Sequence, residues 1–159
     1  MKYFEPDFLQ FFKDLAANNH KDWFDENRKR YELVVREPFK VFIQDVLKSI
    51  HEVDPEIELE PKDCIFRINR DIRFSKDKTP YKLHASAAIS KNGRKDMDNA
   101  GIYIQLDPEY THLYSGFYYP SKEKLYQIRT NIASKPKQFE ALKNDSTFKA
   151  VYGEILGDK

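Results

Sequence analysis

Cysteine, glycine, charge excess and long apolar runs are all scarce in this chain, and each scarcity removes a class of function. A single cysteine, Cys64, cannot form an internal disulfide, and its place at the head of the apolar Cys64-Ile65-Phe66 run suits a small buried residue. Five glycines are scattered, and none precedes a Lys-Ser or Lys-Thr pair, which excludes a P-loop nucleotidase. No stretch approaches the ~20 apolar residues of a membrane span. The N-terminal Met1-Lys2-Tyr3-Phe4-Glu5-Pro6-Asp7 has no basic segment followed by an apolar run and cleavage site, so no secretory signal is read there. A cytoplasmic protein without a membrane partner is expected.

Net charge is missing too. With 27 Lys and Arg against 26 Asp and Glu, the formal charge of +1 provides no whole-molecule field for a polyanion. The four histidines, His20, His51, His84 and His112, show no metal-ligand spacing with Cys64 or with one another. Asp63, Asp71 and Asp77 have basic neighbours that compete for them, so no metal and no cofactor is expected.

What the chain does have is aromatic mass: 12 Phe and 10 Tyr in 159 residues, 40% hydrophobic overall, which argues against disorder despite 33% charged residues. That length buries a stable core without staples and is read as one domain spanning 1–159. Phe8, Phe11, Phe12 and Leu15 follow Pro6-Asp7 at helical spacing, with Pro6 presetting φ and Asp7 as the capping carboxylate, and Asn18-Asn19 ends that helix. A second helix is expected over His20–Arg36. A third starts near Pro38 and repeats Phe39, Phe42, Ile43, Val46, Leu47 and Ile50.

After Asp54-Pro55 the period shortens. Alternation predicts strands over Cys64–Asn69, Leu83–Ile89, Ile102–Leu106 and roughly Thr111–Tyr119, joined by polar loops that include Asn92-Gly93. Ser121 then caps a helix carrying Leu125, Ile128 and Ile132, Lys135-Pro136 interrupts it, and a weaker helix spans Gln138–Asn144. The fold class is α+β: an antiparallel meander of about four strands, with N-terminal and C-terminal helices packed mainly on one face.

Between the first two expected strands lies a cationic island. Arg67-Ile68-Asn69-Arg70-Asp71-Ile72-Arg73-Phe74-Ser75-Lys76-Asp77-Lys78-Thr79-Pro80-Tyr81-Lys82 carries six cations and two carboxylates, a net +4 in a chain of +1. Arginine forks match carboxylate or phosphate oxygens in pairs, and Thr79-Pro80 stiffens the loop that holds them. We take Arg67, Arg70, Arg73, Lys76, Lys78, Tyr81 and Lys82 as candidate binders of a small anionic, phosphate-bearing ligand. Asp71 and Asp77 would orient the bases, and Asn27 and Arg28 would complete the pocket beside Trp23. If there is catalysis, Asp71 or His84 is the candidate acid or base. Two other readings stay open. Tyr103, Tyr114, Tyr118 and Tyr119 would make an aromatic face for a nucleic-acid or protein interaction module, and the Asp–Arg interleaving would equally make a salt-bridged structural clamp with no ligand.

Asn18-Asn19, Trp23-Phe24, Asn27-Arg28 and Tyr31, then the whole run from Arg67 to Lys82, then Gly116-Phe117-Tyr118 before Leu125 and Ile128-Arg129 together resemble the DUF2461 family. The resemblance spans nearly the whole chain, and the Arg-Asp-x-Arg-Phe-Ser-Lys-Asp-Lys-Thr-Pro-Tyr-Lys run is its most specific part. It implies a bacterial and fungal group with no assigned activity, whose members continue for some tens of residues past the position matching Gly157-Asp158-Lys159. The chain is therefore expected to lack a C-terminal segment.

Overall fold

The computed structural model describes residues 3–156, so Met1, Lys2 and the Gly157-Asp158-Lys159 end lie outside it. Two compact units emerge, one running to Tyr118 and one beginning at Tyr119.

In the first unit, α1 (Pro6–Ala17) begins at the proline, but its cap differs from expectation. Glu5 occupies the N-cap position without a side-chain capping bond, and the Asp7 carboxylate is engaged by the Arg30 guanidinium, which also reaches Asp14 at 2.8 Å. The expected His20–Arg36 helix is split. His20 caps α2 (Lys21–Glu26), Asn27 closes it by donating its side-chain N–H to the Trp23 carbonyl at 2.9 Å, and α3 (Arg28–Tyr31) starts afresh. α3 runs without a break through a π-helical turn, Glu32–Arg36, into α4 (Glu37–Val53). Pro38 explains the π turn: it has no N–H to give the Val34 carbonyl, and its ring crowds that group, so the backbone widens one turn earlier. Glu37 N–H reaches back five residues to the Glu32 carbonyl.

The sheet has three strands, not four. β1 (Ala85–Ser90), β2 (Gly101–Leu106) and β3 (His112–Gly116) pair antiparallel in the order β1-β2-β3, with Ala88 opposite Tyr103 and Tyr103 opposite Tyr114. The expected strand Cys64–Asn69 is replaced by a helical turn, α5 (Pro61–Cys64), and an irregular run that pairs with its neighbours through isolated bridges, Ile65–Ala87 and Asn69–Tyr81, instead of a continuous ladder. The cause lies just upstream. Glu60 and Asp63 form a reciprocal capping box around Pro61, and that winds the chain helically up to Cys64.

The core joins one sheet face to α1 and α4: Phe8, Phe11, Phe12 and Leu15 meet Val35, Phe39, Ile43 and Leu47 above Ala87, Ile89 and Ile104. Phe11 is the hub, its ring 5.8 Å from Trp23 and 5.6 Å from Tyr31. Truncating such a buried phenylalanine to alanine costs about 3–5 kcal/mol. Cys64 is fully buried, and burial pushes its thiol pKa up to about 11.

The second unit holds α6 (Lys122–Ser134), capped by Ser121, then α7 (Pro136–Lys143) and α8 (Ser146–Tyr152), capped by Asp145. None of its described residues is buried. Among the described residues no helix is long and apolar enough to cross a membrane.

Candidate functional site

The distal half of the cationic island closes on itself. Arg70 donates to the Asp77 carboxylate at 2.5 Å and to the Thr79 hydroxyl, while Asp77 accepts the Thr79 backbone N–H at 2.9 Å. The Asp77 carboxyl is held down to about 2 by that backbone bond first and by Arg70 next. Arg73 forks onto Asp71 at 2.9 and 2.6 Å and lies over the exposed Phe74 ring. Lys78 donates to the Ile72 carbonyl at 2.9 Å. Lys76 stays exposed at the rim.

The base of the island is different. Asn69 and Tyr81 form a bridge that pinches the loop shut, and Asn19, 62 residues away, fastens it. Its side-chain N–H donates to the Tyr81 carbonyl at 2.9 Å and its oxygen accepts the Tyr81 N–H at 3.1 Å. The Tyr81 ring then stacks on Phe24 with centroids 4.1 Å apart. Arg67 emerges from this pinch exposed, and among the described residues it has no hydrogen-bonded or ion-paired carboxylate. Its neighbour Lys82 sits over the Phe66 ring at 5.1 Å, and its pKa is lowered first by burial and second by the Arg67 charge. The two cations repel one another, and the acid whose carboxylate feels the Arg67 charge, Asp71, is already forked by Arg73.

Arg67 stands on the wall of a cleft of about 780 Å³, within the range of small-molecule sites. The opposite wall comes from the long helix, where Arg28, Glu32, Arg36, Lys40 and Gln44 recur every four residues. Over 16 positions that spacing would drift about 160° around a regular α-helix at about 100° per residue. The π turn inserts a residue and takes back about 100° of the drift. Lys62 and Arg94 complete the rim, Arg94 donating to the Lys62 carbonyl. Phe24, Tyr31, Phe66 and Tyr81 supply aromatic lining, and burial pushes the Tyr31 hydroxyl up to about 12, keeping it protonated.

Six basic side chains face this cleft against three acids, Glu32, Glu37 and Glu60. Each acid is already matched, by Arg36 at 2.7 Å, Lys40 at 3.8 Å and Lys62 at 2.5 Å. Arg28 pairs outward with Asp25 at 2.5 Å and lies 5.3 Å from the Phe24 ring centre. The surplus positive charge therefore concentrates at Arg67 and Arg94.

Of the residues singled out from the sequence, Arg67, Arg28 and Tyr81 line the cleft, and Lys82 borders it through Phe66. Arg70, Asp71, Arg73, Lys76, Asp77 and Lys78 lie outside the lining, and Asn27 is committed to the α2 terminus. His84 is half-buried with its pKa lowered, first by burial and then by Lys82. Asp71 has its pKa lowered, chiefly by Arg73, so it stands as a carboxylate paired to a guanidinium. Arg36, Lys40, Lys62 and Arg94 escaped sequence reasoning. The four-residue recurrence through Pro38 was the signal for the first two. Among the described residues no group of three or more His, Cys, Asp or Glu side chains could hold a metal ion.

A family model described as "Conserved hypothetical protein (DUF2461)" matches residues 7–159. Neither curated proteins nor solved structures yielded a match.

Proposed function

The chain belongs to the DUF2461 family, whose description assigns no activity, and from its cleft we propose that it binds a small anionic ligand, a phosphate-bearing one above all. The single observation that carries this reading is Arg67: an exposed guanidinium without a carboxylate partner, beside Lys82, on the wall of a cleft with excess positive charge. An unneutralised pair of cations costs energy in the empty protein, and an arriving dianion turns that repulsion into attraction. Arg67 offers two parallel N–H groups to phosphate oxygens, with Arg94 and Arg28 in the same cleft lining.

The geometry also favours a second role for the rest of the island. Arg70 with Asp77 and Thr79, and Arg73 with Asp71, act as a clamp that holds the loop's shape.

Thermal-shift titration with a panel of phosphorylated metabolites tests the reading. A ligand at a hundredfold excess over its Kd stabilises by about 2.7 kcal/mol, a readily measured shift. Arg67→Ala should abolish that protection, whereas Arg73→Ala should keep it. Protection that persists in Arg67→Ala would overturn the assignment.

A further inference from the structure

The sheet's second face, turned away from the helical core, is paved with rings. Tyr103 and Tyr114 are register partners on adjacent strands, their rings 6.3 Å apart and 23° from parallel. Phe66 stands at one end, 6.4 Å from Tyr103 and tilted 56° to it, so that it makes a wall to the row, and His112 lies 5.4 Å and 13° from Tyr114. Phe66, Tyr103 and Tyr114, with the small side chain of Ala88, line a hollow of about 730 Å³. Tyr114 is 59% exposed, so this aromatic surface is open and not part of the core. Phe66 and Arg94 line both this hollow and the cationic cleft. The shared Phe66 ring also carries the Lys82 ammonium 5.1 Å from its centre.

Building on the reading of the cleft as an anion site, we propose that the ligand is a mononucleotide-like molecule, its phosphate at Arg67 and Arg94 and its planar base on the Phe66–Tyr103–Tyr114 shelf. Near-parallel phenol rings present flat π faces, which suit a heteroaromatic ring that stacks; an aliphatic tail would be matched by branched side chains instead. Arg94 borders both hollows and lies between the two halves of such a ligand. Ser90 is committed, its hydroxyl donating to the Asn99 and Ala100 carbonyls, and the Asn99 side-chain N–H donates to Asp96, so the polar group offered to the ring's exocyclic atoms is the Asn99 side-chain oxygen.

Three probes separate the possibilities by thermal shift and calorimetry: ribose 5-phosphate, adenosine 5′-monophosphate and a single-stranded RNA of about ten nucleotides. Adenosine 5′-monophosphate should bind about tenfold more tightly than ribose 5-phosphate, the contribution of one stacked base. Tyr114→Ala, and Tyr103→Leu as a more conservative second change, should erase that difference and leave ribose 5-phosphate affinity unchanged. Equal binding of the two small probes would overturn the base shelf while leaving the anion cleft standing. Absence of protection by any of the three would overturn both. RNA protection well beyond that of the mononucleotide, disappearing as salt rises, would assign the face to a polymer and overturn the mononucleotide proposal.

Discussion

Asn19→Ala is the perturbation that most directly asks whether the cleft is held in shape from a distance. The Asn19 amide makes both bonds of a peptide-like pair with Tyr81, at 2.9 and 3.1 Å across 62 residues, and Tyr81 is only 5% exposed. Each bond contributes about 1 kcal/mol net, and a buried peptide group left without a partner adds desolvation cost to that sum. Asn19 itself is half-buried, so water can reach part of the vacated space and reduce the loss. The balance is about 2 kcal/mol, which for a domain of this size lowers Tm by about 8 °C. Asn18→Ala is the matched control: its side chain donates only to the Asp14 carbonyl of its own helix at 2.9 Å, and its loss should cost under about 1 kcal/mol. The assay is thermal unfolding followed by circular dichroism, with the ribose 5-phosphate shift measured on the folded variants. Asn19→Ala should lower Tm by clearly more than the control, and weaken the ligand shift because Tyr81 and Arg67 share the pinch. Equal Tm losses for the two variants would refute the idea that Asn19 fastens the loop.

Two further outcomes follow from the same geometry. His84 is held neutral by burial and by Lys82 against a smaller pull from Asp107, so its folded pKa lies below the ordinary 6.5. The unfolded chain then binds the extra proton first as pH falls, and this contribution to stability, intact above 6.5, is lost as pH drops through 6.5 toward the folded value; His84→Gln should flatten that part of the Tm-against-pH curve, and an unchanged slope would contradict it. Gly93 has φ +79°, and an added Cβ would meet the Asp63 carbonyl oxygen at 2.8 Å, the same oxygen that accepts the Arg94 N–H at 3.0 Å. Gly93→Ala should therefore cost about 1–3 kcal/mol in urea unfolding and displace Arg94 from both hollows, with weaker ligand protection as the second readout; a neutral effect on both would contradict the placement of Arg94.

How much of this was legible in the chain differs by element. Pro6 announced its helix because a fixed φ acts locally, whereas Pro38 marks the π turn inside a helix that was already under way at Arg28. The strands ending in Leu106 and Ser90 were legible from alternation, since one face packs on the core. The supposed strand from Cys64 failed for an equally local reason: Glu60-Pro61-Lys62-Asp63 is a helix-start signal, and its capping box outweighed the alternation that follows it. The cationic island was visible as charge, but its division into a clamp and an uncommitted base depends on which acids lie within reach. Asp71 and Asp77 are near in sequence to every base of the island, yet their direct ion pairs are with Arg73 and Arg70, and Arg67 reaches Asp71 only through its longer-range charge. The far wall was hidden because Arg36 and Lys40, each with a neighbouring glutamate, read as an ordinary solvated helix face.

The π turn at Glu32–Arg36 makes the cleft sensitive to chain length in a way that no substitution reproduces. A single-residue deletion there would let the helix run as an uninterrupted α spiral. Phe39, Ile43 and Leu47 could keep their seats in the core, but everything upstream would turn by about 100°, carrying Arg28 and Tyr31 out of line with Arg36, Lys40 and Gln44. A homologue one residue shorter between Tyr31 and Pro38 would have to reseat Trp23, Phe24 and Tyr31 around Phe11 as well as give up this cleft wall, so the residue count across the interval is tied to core and cleft together.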